Sequence, residues 1–375
     1  MSVCKVDVYL DSRKVGSLAE TAGHQAAFAY DEEWLLTGFP VSPFSLPLEK
    51  KVFVPSAQKF HGLFGVFADS LPDAWGRLLV DRMLLASHRT PESVSELERL
   101  MIVGNSGMGA LSYRPAADTA KQIQPADLDA LCEKCAAILR HEDVRNPDEI
   151  FFLGGSSGGA RPKIMTDEWI IKFPASRETA ESGRMEKEYM DCASACGISV
   201  PETKLIPSAR CSGYFAVRRF DRERTASGFV RRHVLTAAAL LETDWRSGTA
   251  DYHTLMKLTG ILSRSNQDDL LQMYRRMCFN VFGHNRDDHL KNFSWIYDPS
   301  LDCWHPSPAY DLTWSNTWYG EHTLTVNGNS RTPGMEELTA VGKAAGLTPA
   351  LCRKIASEIR DRVSPLEEKY RNMQS

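Results

Sequence analysis

The chain has 375 residues, of which 43% are hydrophobic, 25% charged and 9% aromatic. This composition excludes a disordered, collagen-like or disulfide-scaffold protein, and the length predicts two or three domains. The sequence contains neither an apolar run of about 18 residues, which a membrane span needs, nor the apolar block of a signal peptide. We therefore expect a globular protein of the cytoplasm whose nine cysteines are reduced.

The charge balance gives no strong indication of a partner. Forty-four basic residues against 48 acidic residues give a formal net charge of −4, which argues against a dedicated nucleic-acid coat protein. Basic residues are concentrated between Lys204 and Arg232. This stretch could face the phosphate of a nucleotide or a nucleic acid, or it could be a solvated strand pair and loop.

The first part of the chain predicts a compact mixed α/β unit. Alternating apolar residues from Val6 to Leu10 predict a strand, and a turn at Asp11 leads into a second strand. A third strand is predicted from Phe28 to Leu36. Two helices with apolar faces are then predicted at 73–85 and 95–103.

A Pro-containing linker is predicted at 113–125, before a β-rich lobe with few helices and a helical lobe. The predicted helices are 125–140, 181–196, 233–242, 250–262, 266–284 and 348–369, and the predicted strands are 161–166, 168–173, 203–207 and 213–220. These elements divide the chain into 1–112, 113–232 and 233–375. Two such lobes in succession are an arrangement that can hold a nucleotide.

The segment Asn-Arg-Asp-Asp-His-Leu-Lys-Asn ending at Asn292 carries the most specific spacing. Asp287 and Asn292 lie five residues apart, as do the proton-accepting Asp and the Mg²⁺-binding Asn of a kinase catalytic loop. Asp311 follows a predicted hairpin about 20 residues later, where a second metal-binding carboxylate would lie. Alone, the first pattern also fits a polar turn capped by Asp287 or Asp288, and the second fits a plain turn.

A Gly-rich segment, Gly154–Lys163, precedes a strand that carries a lysine among apolar residues. Glycines allow backbone amides to approach phosphate oxygens, although the spacing fits neither a Walker A loop nor G-x-G-x-x-G, and a simple Gly/Ser turn stays open. Lys172 is costly to place in an apolar strand unless an anion meets it. Its candidate partner is Glu186, with Glu188 as the rival, and a lysine that snorkels at the sheet edge is the alternative.

Five ordered motifs resemble the HipA-type kinases, the toxin components of bacterial toxin–antitoxin modules. They are Ser156-x-Gly-Gly-Ala-Arg-Pro-Lys163, Ile171-Lys-Phe, Val217-Arg-Arg-Phe-Asp-Arg222, Asn285-x-Asp-x-His-x-Lys-Asn292 and Ser307-Pro-Ala-Tyr-Asp311. The segment 65–77 also resembles the "couple" subdomain of that family. The resemblance implies an α+β, bilobal protein-kinase-like fold with a β-rich N-lobe and an α-helical C-lobe, after an N-terminal mixed α/β couple-like subdomain at 1–112.

The resemblance further implies a Ser/Thr protein kinase that uses ATP and Mg²⁺. Asp287 would be the catalytic residue, and Asn292 and Asp311 the metal ligands. Ser156 matches a serine that family members autophosphorylate, and a phosphate there would repel ATP and switch the enzyme off. The residues implied to contact the nucleotide are Ser157, Gly158, Gly159, Ala160, Arg161, Pro162, Lys163, Lys172, Glu186, Arg218, Arg219, Phe220, His289, Lys291, Asn292, Tyr310 and Asp311.

The implied partners are a protein substrate and a small helix-turn-helix antitoxin similar to HipB, with DNA bound only through the antitoxin complex and no membrane. Aminoacyl-tRNA synthetases are the best-known targets of the family, and nothing in the sequence selects one. Two alternatives stay open. One is a kinase-like nucleotide-binding corepressor that acts with an antitoxin on DNA, and the other is a small-molecule phosphotransferase.

Overall fold

The computed structural model describes residues 4–56, 59–116, 127–140, 142, 150, 153–154, 159–175, 178–226, 228–244, 246, 250–317 and 319–374. Within these ranges, no helix is both long enough and apolar enough to cross a membrane. All nine cysteines fall inside the described residues, and each is a free thiol.

Strands and helices come mostly in short runs of one kind along the described chain. The strands are β1 (Lys5–Leu10), β2 (Arg13–Glu20), β3 (Ala26–Tyr30), β4 (Val52–Phe53), β5 (Leu111–Arg114), β6 (Lys163–Met165), β7 (Trp169–Lys172), β8 (Thr203–Ile206), β9 (Tyr214–Arg218), β10 (Arg222–Thr225), β11 (Gly228–Arg231), β12 (Val234–Thr236), β13 (Ser294–Asp298) and β14 (Cys303–Pro306). The helices are α1 (Glu32–Thr37), α2 (Gly65–Ala68), α3 (Ala74–Ala86), α4 (Glu96–Val103), α5 (Leu128–Leu139), α6 (Ser182–Ala195), α7 (Ala237–Leu240), α8 (Tyr252–Leu262), α9 (Gln267–Phe282), α10 (Met335–Ala344) and α11 (Pro349–Gln374).

The chain forms two compact units. The first unit comprises Met1–Ala180 and Pro207–Asp244, and the second unit comprises Glu181–Ile206 and Trp245–Ser375. The couple-like segment and most of the predicted β-rich lobe therefore belong to one unit. The predicted boundary between a β-rich lobe and a helical lobe at residue 232 stays a prediction.

The first unit begins with an antiparallel sheet in the order β4-β3-β2-β1-β5. The predicted hairpin is confirmed: Leu10 pairs with Arg13, and Asp11 adopts a positive φ of 54°, which Asp tolerates in a tight turn. Side chains on alternate positions of β1, such as Val6 and Val8, are fully buried. The period-two pattern therefore does mark the core face.

The third predicted strand, from Phe28 to Leu36, is wrong in its second half. β3 ends at Tyr30, and the short helix α1 follows. The Asp31 side chain accepts a hydrogen bond from the Glu33 N–H, so it caps a helix start that two acidic residues also favour. An apolar count alone could not separate this helix from a longer strand.

The two helices predicted for the N-terminal part, at 73–85 and 95–103, are confirmed to within one residue as α3 and α4. Ser95 and Glu98 form a reciprocal capping box at the start of α4, and Gly104 ends that helix with a φ of 55°. The last strand, β5, pairs with β1 and extends to Arg114. The predicted domain limit at residue 112 stays a prediction.

Strands β6, β7 and β9 form a second antiparallel sheet in the first unit. The hairpin of β10 and β11 follows, inside the stretch that the sequence left open as a strand pair. The predicted helix at 233–242 is wrong at its start, because β12 occupies 234–236. Thr236 then caps α7 by accepting a hydrogen bond from the Ala239 N–H.

The second unit is mainly helical. Helix α9 packs on α8 and α11, and its buried side chains include Met273, Tyr274 and Met277. The hairpin of β13 and β14 packs against α8 and α9. The sequence prediction omitted α10, a ten-residue helix with Leu338 and Val341 buried. The residues that connect α9, β13 and β14 build the candidate site of this unit.

Candidate active site

A loop of nine residues, 284–292, which we call the Asp287 loop, connects α9 to β13. Its first residues are tied back to the helix, since the Asn285 N–H donates to the Asn280 carbonyl at 3.0 Å. The Asn285 side-chain amide also donates to Asn280 Oδ1 at 3.0 Å, and both side chains are buried. The loop therefore leaves the helix in a fixed direction.

Asp288 holds the middle of the Asp287 loop from the inside. Its carboxylate has no exposed surface and accepts hydrogen bonds from Tyr252 Oη at 2.8 Å and from His322 Nδ1 at 3.1 Å. It also accepts the backbone N–H groups of Thr323 at 2.9 Å and Leu324 at 3.3 Å. A buried carboxylate with four donors is well satisfied, so it fixes the loop against the 322–324 segment.

Asp287, the next residue back, has the opposite environment. Its side chain is 62% exposed, while its backbone N–H donates to Ser315 Oγ at 3.1 Å. Partial desolvation raises the pKa of the Asp287 carboxyl, the charge of His289 opposes this shift, and the charges of Asp311 and Asp288 add to it. A solvent-accessible carboxylate with a raised pKa, on a fixed backbone, is suited to accept a proton.

The structure brings Asn292 and Asp311 to the same loop. The Asn292 side-chain amide donates to the Asp287 carbonyl at 2.7 Å, and the Tyr310 hydroxyl donates to the Lys291 carbonyl at 2.7 Å. Asp311 adopts a positive φ of 53°, a conformation that Asp tolerates better than most residues. It lies close enough for its charge to raise the pKa of Asp287.

These two residues suit a hard cation. Asn292 uses its side-chain nitrogen within the loop, so its Oδ1 is the atom that could bind a metal, and Asp311 would add a carboxylate oxygen. Mg²⁺ prefers oxygen ligands and usually keeps several waters or phosphate oxygens, so two protein ligands are sufficient. His289 is also near, with Nε2 3.9 Å from Asp287 Oδ1.

The first unit places two lysines side by side. Lys163 on β6 and Lys172 on β7 are directly paired in the antiparallel register, so both side chains lie on one face of the sheet. Each is only 7% exposed, and Lys172 Nζ lies 5.6 Å from the centre of the Phe215 ring. This sheet face therefore carries two neighbouring lysine side chains.

The Gly-rich segment is described only in part. Ser156, the predicted phosphorylation site, lies outside the described residues, and so do Ser157 and Gly158. Gly159 has a φ of 82°, which glycine adopts without strain. Arg161 is directed away from solvent, since its Nε donates to the Phe173 carbonyl at 2.9 Å and pairs with Glu178 at 3.1 Å.

Pro162 is buried and Ala160 is exposed, each in the backbone stretch that leads from Gly159 into β6. At the other predicted nucleotide contact, Arg218 pairs with Glu168 at 3.0 Å and Phe220 is half-buried. Of the positions predicted to meet the nucleotide, those from Gly159 to Phe220, apart from Glu186, therefore lie in the first unit, on β6, on β7, at the end of β9 and beside these strands. Glu186 and the positions from His289 to Asp311 lie in the second unit. Lys291 lies in the second unit with the Asp287 loop.

Arg219 is part of a buried ion cluster that the sequence prediction missed. Its guanidinium donates to both carboxylate oxygens of Asp221, at 3.0 and 2.8 Å, and Arg222 donates to the same carboxylate at 2.6 Å. Asp221 also accepts the Gly109 N–H at 2.8 Å. Because this cluster engages the Arg219 side chain so fully, we assign Arg219 a role in packing, and its contact with a nucleotide stays a prediction.

The two candidate partners of Lys172 differ in their surroundings. Glu186 is 2% exposed on α6, whereas Glu188 already accepts hydrogen bonds from Lys369 at 2.6 Å and Tyr370 at 2.9 Å. Glu188 is therefore engaged within the second unit, which favours Glu186. The pairing of Lys172 with Glu186 stays a prediction.

Sequence reasoning also missed the roles of the acidic residues in the segment 69–75. Asp69 accepts hydrogen bonds from the Thr236 N–H and hydroxyl, and Asp73 accepts the Gly159 N–H at 3.2 Å. The sequence feature that could have indicated these roles is the pair of aspartates on either side of a Ser-Leu-Pro turn. Carboxylates placed beside a turn can accept hydrogen bonds from backbone N–H groups instead of facing solvent.

Comparison with known proteins agrees with this description. Residues 6–114 match the family model of the HipA N-terminal domain, and residues 155–365 match that of the HipA-like C-terminal domain. Two proteins of Sinorhizobium fredii, named "Putative kinase Y4dM" and "Putative kinase Y4mE", are each 28% identical to the chain. The first match covers 96% of this chain and 90% of the relative, and the second covers 83% and 77%.

A solved structure of HipA from Shewanella oneidensis, in complex with HipB and its operator DNA, superposes with a TM-score of 0.71 at 18% identity. The superposition covers 97% of this chain and 90% of that chain, so the predicted α+β, kinase-like fold is confirmed. Together, the two family models account for the mixed N-terminal part and for the residues from the Gly-rich segment to the last helix. The chain belongs to the HipA family.

Proposed function

We propose that this protein is a toxin kinase of the HipA type, which transfers the γ-phosphate of ATP to a Ser or Thr residue of a cellular protein. The observation that carries this proposal is the contrast within the Asp287 loop. Asp288 fixes the backbone from the inside, while the Asp287 carboxylate stays exposed. A carboxylate held in this way can orient the hydroxyl of a substrate and accept its proton.

Asn292 and Asp311 are the residues that would hold Mg²⁺, through the oxygen atoms described above. When bound, the metal neutralises charge on the phosphate groups of ATP. The chain's own part is to keep both ligands beside Asp287. The hydrogen bond from Asn292 to the Asp287 carbonyl and the contact of Tyr310 with the Lys291 carbonyl support that arrangement.

Lys163 and Lys172 supply the positive charge for the phosphates of ATP in this proposal. Their shared sheet face supports the assignment, because two neighbouring cationic side chains can meet the oxygens of one polyphosphate. Arg218 and Phe220 are proposed at the adenine end, and Gly159 to Lys163 along the phosphates.

Regulation and partners complete the proposal. Phosphate on Ser156 would add about two negative charges to the Gly-rich segment, repel ATP and so inactivate the kinase. We also propose a small helix-turn-helix antitoxin as a partner, with DNA bound only through it. The solved HipA relative with HipB and operator DNA supports that proposal.

The test is the Asp287→Asn variant, assayed with Mg²⁺ and labelled ATP. Incorporation of labelled phosphate into the protein itself should fall at least about 100-fold, the usual contribution of a proton acceptor. Because the Asp287 side chain is largely exposed, the melting temperature should stay unchanged. Mass spectrometry of the wild-type protein should place the phosphate on Ser156.

Asp361→Asn is the matched control, since Asp361 on α11 is 67% exposed and lies outside the Asp287 loop. It should keep the wild-type rate. A wild-type rate in the Asp287→Asn protein would refute the proposed role of Asp287. Binding of Mg-ATP without turnover by the wild-type protein would favour a nucleotide-binding corepressor instead.

A further inference from the structure

The start of α3, in the N-terminal domain, contacts the Gly-rich segment directly. Asp73 Oδ2 accepts the Gly159 N–H at 3.2 Å, and the Trp75 N–H donates to the Gly159 carbonyl at 3.1 Å. The Trp75 indole N–H donates to the Lys163 carbonyl at 3.2 Å, and its ring is 1% exposed. Both backbone polar groups of Gly159 are thus bound by one helix start.

Gly154 and Gly159, the described glycines at the two ends of the glycine run, both pack against Lys163. A Cβ on Gly154 would lie 2.4 Å from the Lys163 carbonyl oxygen and 3.3 Å from Trp75 Nε1. A Cβ on Gly159 would lie 2.8 Å from Lys163 Nζ. Gly154 therefore approaches the Lys163 backbone more closely than a residue with a Cβ could, whereas Gly159 is favoured as glycine by its positive φ of 82°.

The Asp73 carboxylate is used in an unusual way for its position. Asp73 is the N-cap residue of α3, yet its side chain accepts no hydrogen bond from the first turn of that helix. At the N-caps of α1 and α5, by contrast, Asp31 and Asp127 do accept such bonds. The acceptor that would stabilise α3 is instead directed to Gly159, which indicates a role beyond helix capping.

The preceding turn keeps this helix start in place. Asp69 accepts hydrogen bonds from the Thr236 N–H at 2.8 Å and the Thr236 hydroxyl at 2.9 Å, and Ser70 Oγ accepts from the Tyr113 hydroxyl at 2.6 Å. Asp73 and Trp75 therefore extend from a turn that is anchored on both sides. All these residues belong to the first unit.

We infer that Asp73 and Trp75 are positioning residues through which the N-terminal domain holds the stretch from Gly159 to Lys163 in the backbone conformation that binds the phosphates of ATP. This inference rests on the proposed function. Neither residue touches the reacting atoms in this assignment. Each acts through Gly159 and Lys163, so the N-terminal domain sets the affinity for the nucleotide rather than the rate of the chemical step.

The main test is a split between KM and kcat. Asp73→Ala removes the acceptor for the Gly159 N–H, and we expect the KM for ATP to rise about tenfold while kcat changes less than about threefold. Asp73→Asn retains an acceptor oxygen and should restore most of the affinity. Trp75→Phe keeps an aromatic ring but loses the indole N–H that donates to the Lys163 carbonyl, so it should also raise the KM for ATP.

Asp31→Ala is the matched control, because it removes a helix-capping aspartate of the same unit that does not contact the Gly-rich segment. Its KM should equal that of the wild-type protein. Hydrogen exchange of the full chain, without nucleotide, gives a readout independent of activity. In Asp73→Ala, exchange should increase in a peptide that covers residues 159–165 and stay unchanged in the β1–β2 hairpin.

An unchanged KM and unchanged exchange in Asp73→Ala would overturn the inference, and so would a general increase of exchange over the whole first unit. An increase confined to 159–165, with rescue by Asp73→Asn, supports it. If the wild-type protein shows no turnover, the proposed kinase function fails. The exchange comparison then still decides whether Asp73 holds the segment.

Discussion

Each of the two units contains a fully buried aspartate, and the two carboxylates are satisfied by different chemistry. In the first unit, Asp221 lies against the guanidinium groups of Arg219 and Arg222. In the second unit, Asp288 accepts hydrogen bonds from a hydroxyl, an imidazole and two backbone amides, among them Tyr252 Oη. One site is a compensated ion cluster, and the other is a network of individual donors.

The difference fits what each site has to do. Asp221 ties strand and loop backbones together, since it also accepts the N–H of Gly109 from the N-terminal domain. Asp288 holds the loop in which the preceding residue, Asp287, is the proposed catalytic residue. The charge of Asp288 contributes to the raised pKa of Asp287. Arginines beside Asp288 would cancel this effect. The four donors that hold the Asp288 carboxylate include no guanidinium group, so they fix the loop and leave the effect of Asp288 on Asp287 in place.

The first prediction, with the largest effect, concerns the ion cluster. Burial alone would raise the pKa of Asp221, but the charges of Arg219 and Arg222 hold it below its usual value, and burial lowers the pKa of Arg222 to about 9. Asp221→Asn leaves two buried guanidinium groups without their counter-charge. We expect the free energy of unfolding to fall by about 3–5 kcal/mol, measured by urea denaturation.

Glu223→Gln is the control for this prediction. Glu223 pairs with Arg232 at 2.7 Å on the exposed β10–β11 hairpin, where both side chains are well exposed. Loss of such a surface pair should change the free energy of unfolding by less than about 1 kcal/mol. Equal losses in the two variants would mean that the Asp221 cluster is not an essential charge balance.

The second prediction is an acid sensitivity of the first unit. His233 is buried, its Nε2 is hydrogen-bonded to the Val41 carbonyl at 2.8 Å, and burial lowers its pKa to about 4 from an ordinary 6.5. Between these values the unfolded chain binds a proton that the folded chain does not. Stability is therefore complete above about pH 6.5 and falls as the pH drops towards 4, by about 3 kcal/mol in total.

The measurement compares wild-type protein with His233→Gln, which has a neutral donor at every pH. Unfolding free energies at pH 7 and pH 4 should differ by about 3 kcal/mol more in the wild-type protein. The variant removes only this one titration, so acid effects at carboxylates cancel in the difference. The same pH dependence in both proteins would show that His233 does not titrate as its burial requires.

Local patterns in the sequence were sufficient for most of the fold. Alternation predicted β1, the glycines from Gly104 onward predicted the end of α4, and the spacing of Asp287 and Asn292 placed the candidate site in one loop. These features depend on residues within one turn or one loop of each other. The start of α1 was missed because the Asp31 cap competes with an apolar pattern that fits a strand as well.

The rest depends on contacts between distant residues. Nothing local separates Asp287 from Asp288, and only the Tyr252 hydroxyl, 36 residues away, and the donors at 322–324 decide which of the two is buried. In the same way, the sequence shows Asp221 only as one acidic residue within a basic stretch, because Gly109, whose N–H it accepts, lies 112 residues away in the chain. A single sequence cannot specify such pairs.

The smallest effect comes from two matched tyrosines, one in each unit. Tyr252 donates to Asp288 and accepts from the Asn280 side chain, and Tyr30 in the first unit donates to the Leu46 carbonyl and accepts the Val41 N–H. Each Tyr→Phe change removes one donor and one acceptor from a buried network. Both should lower the free energy of unfolding by about 1–2 kcal/mol, measured by urea denaturation.

The activities of the two variants should nevertheless differ. Tyr252→Phe loosens Asp288 and therefore the backbone that presents Asp287, so phosphate incorporation should fall about three- to tenfold. Tyr30→Phe, with the same loss of stability, should keep the wild-type rate, because its network lies outside the Asp287 loop. Equal activity in both variants would separate the anchoring of Asp288 from catalysis. A lower rate in Tyr252→Phe alone would mean that the anchoring of the buried Asp288 serves to position the exposed Asp287.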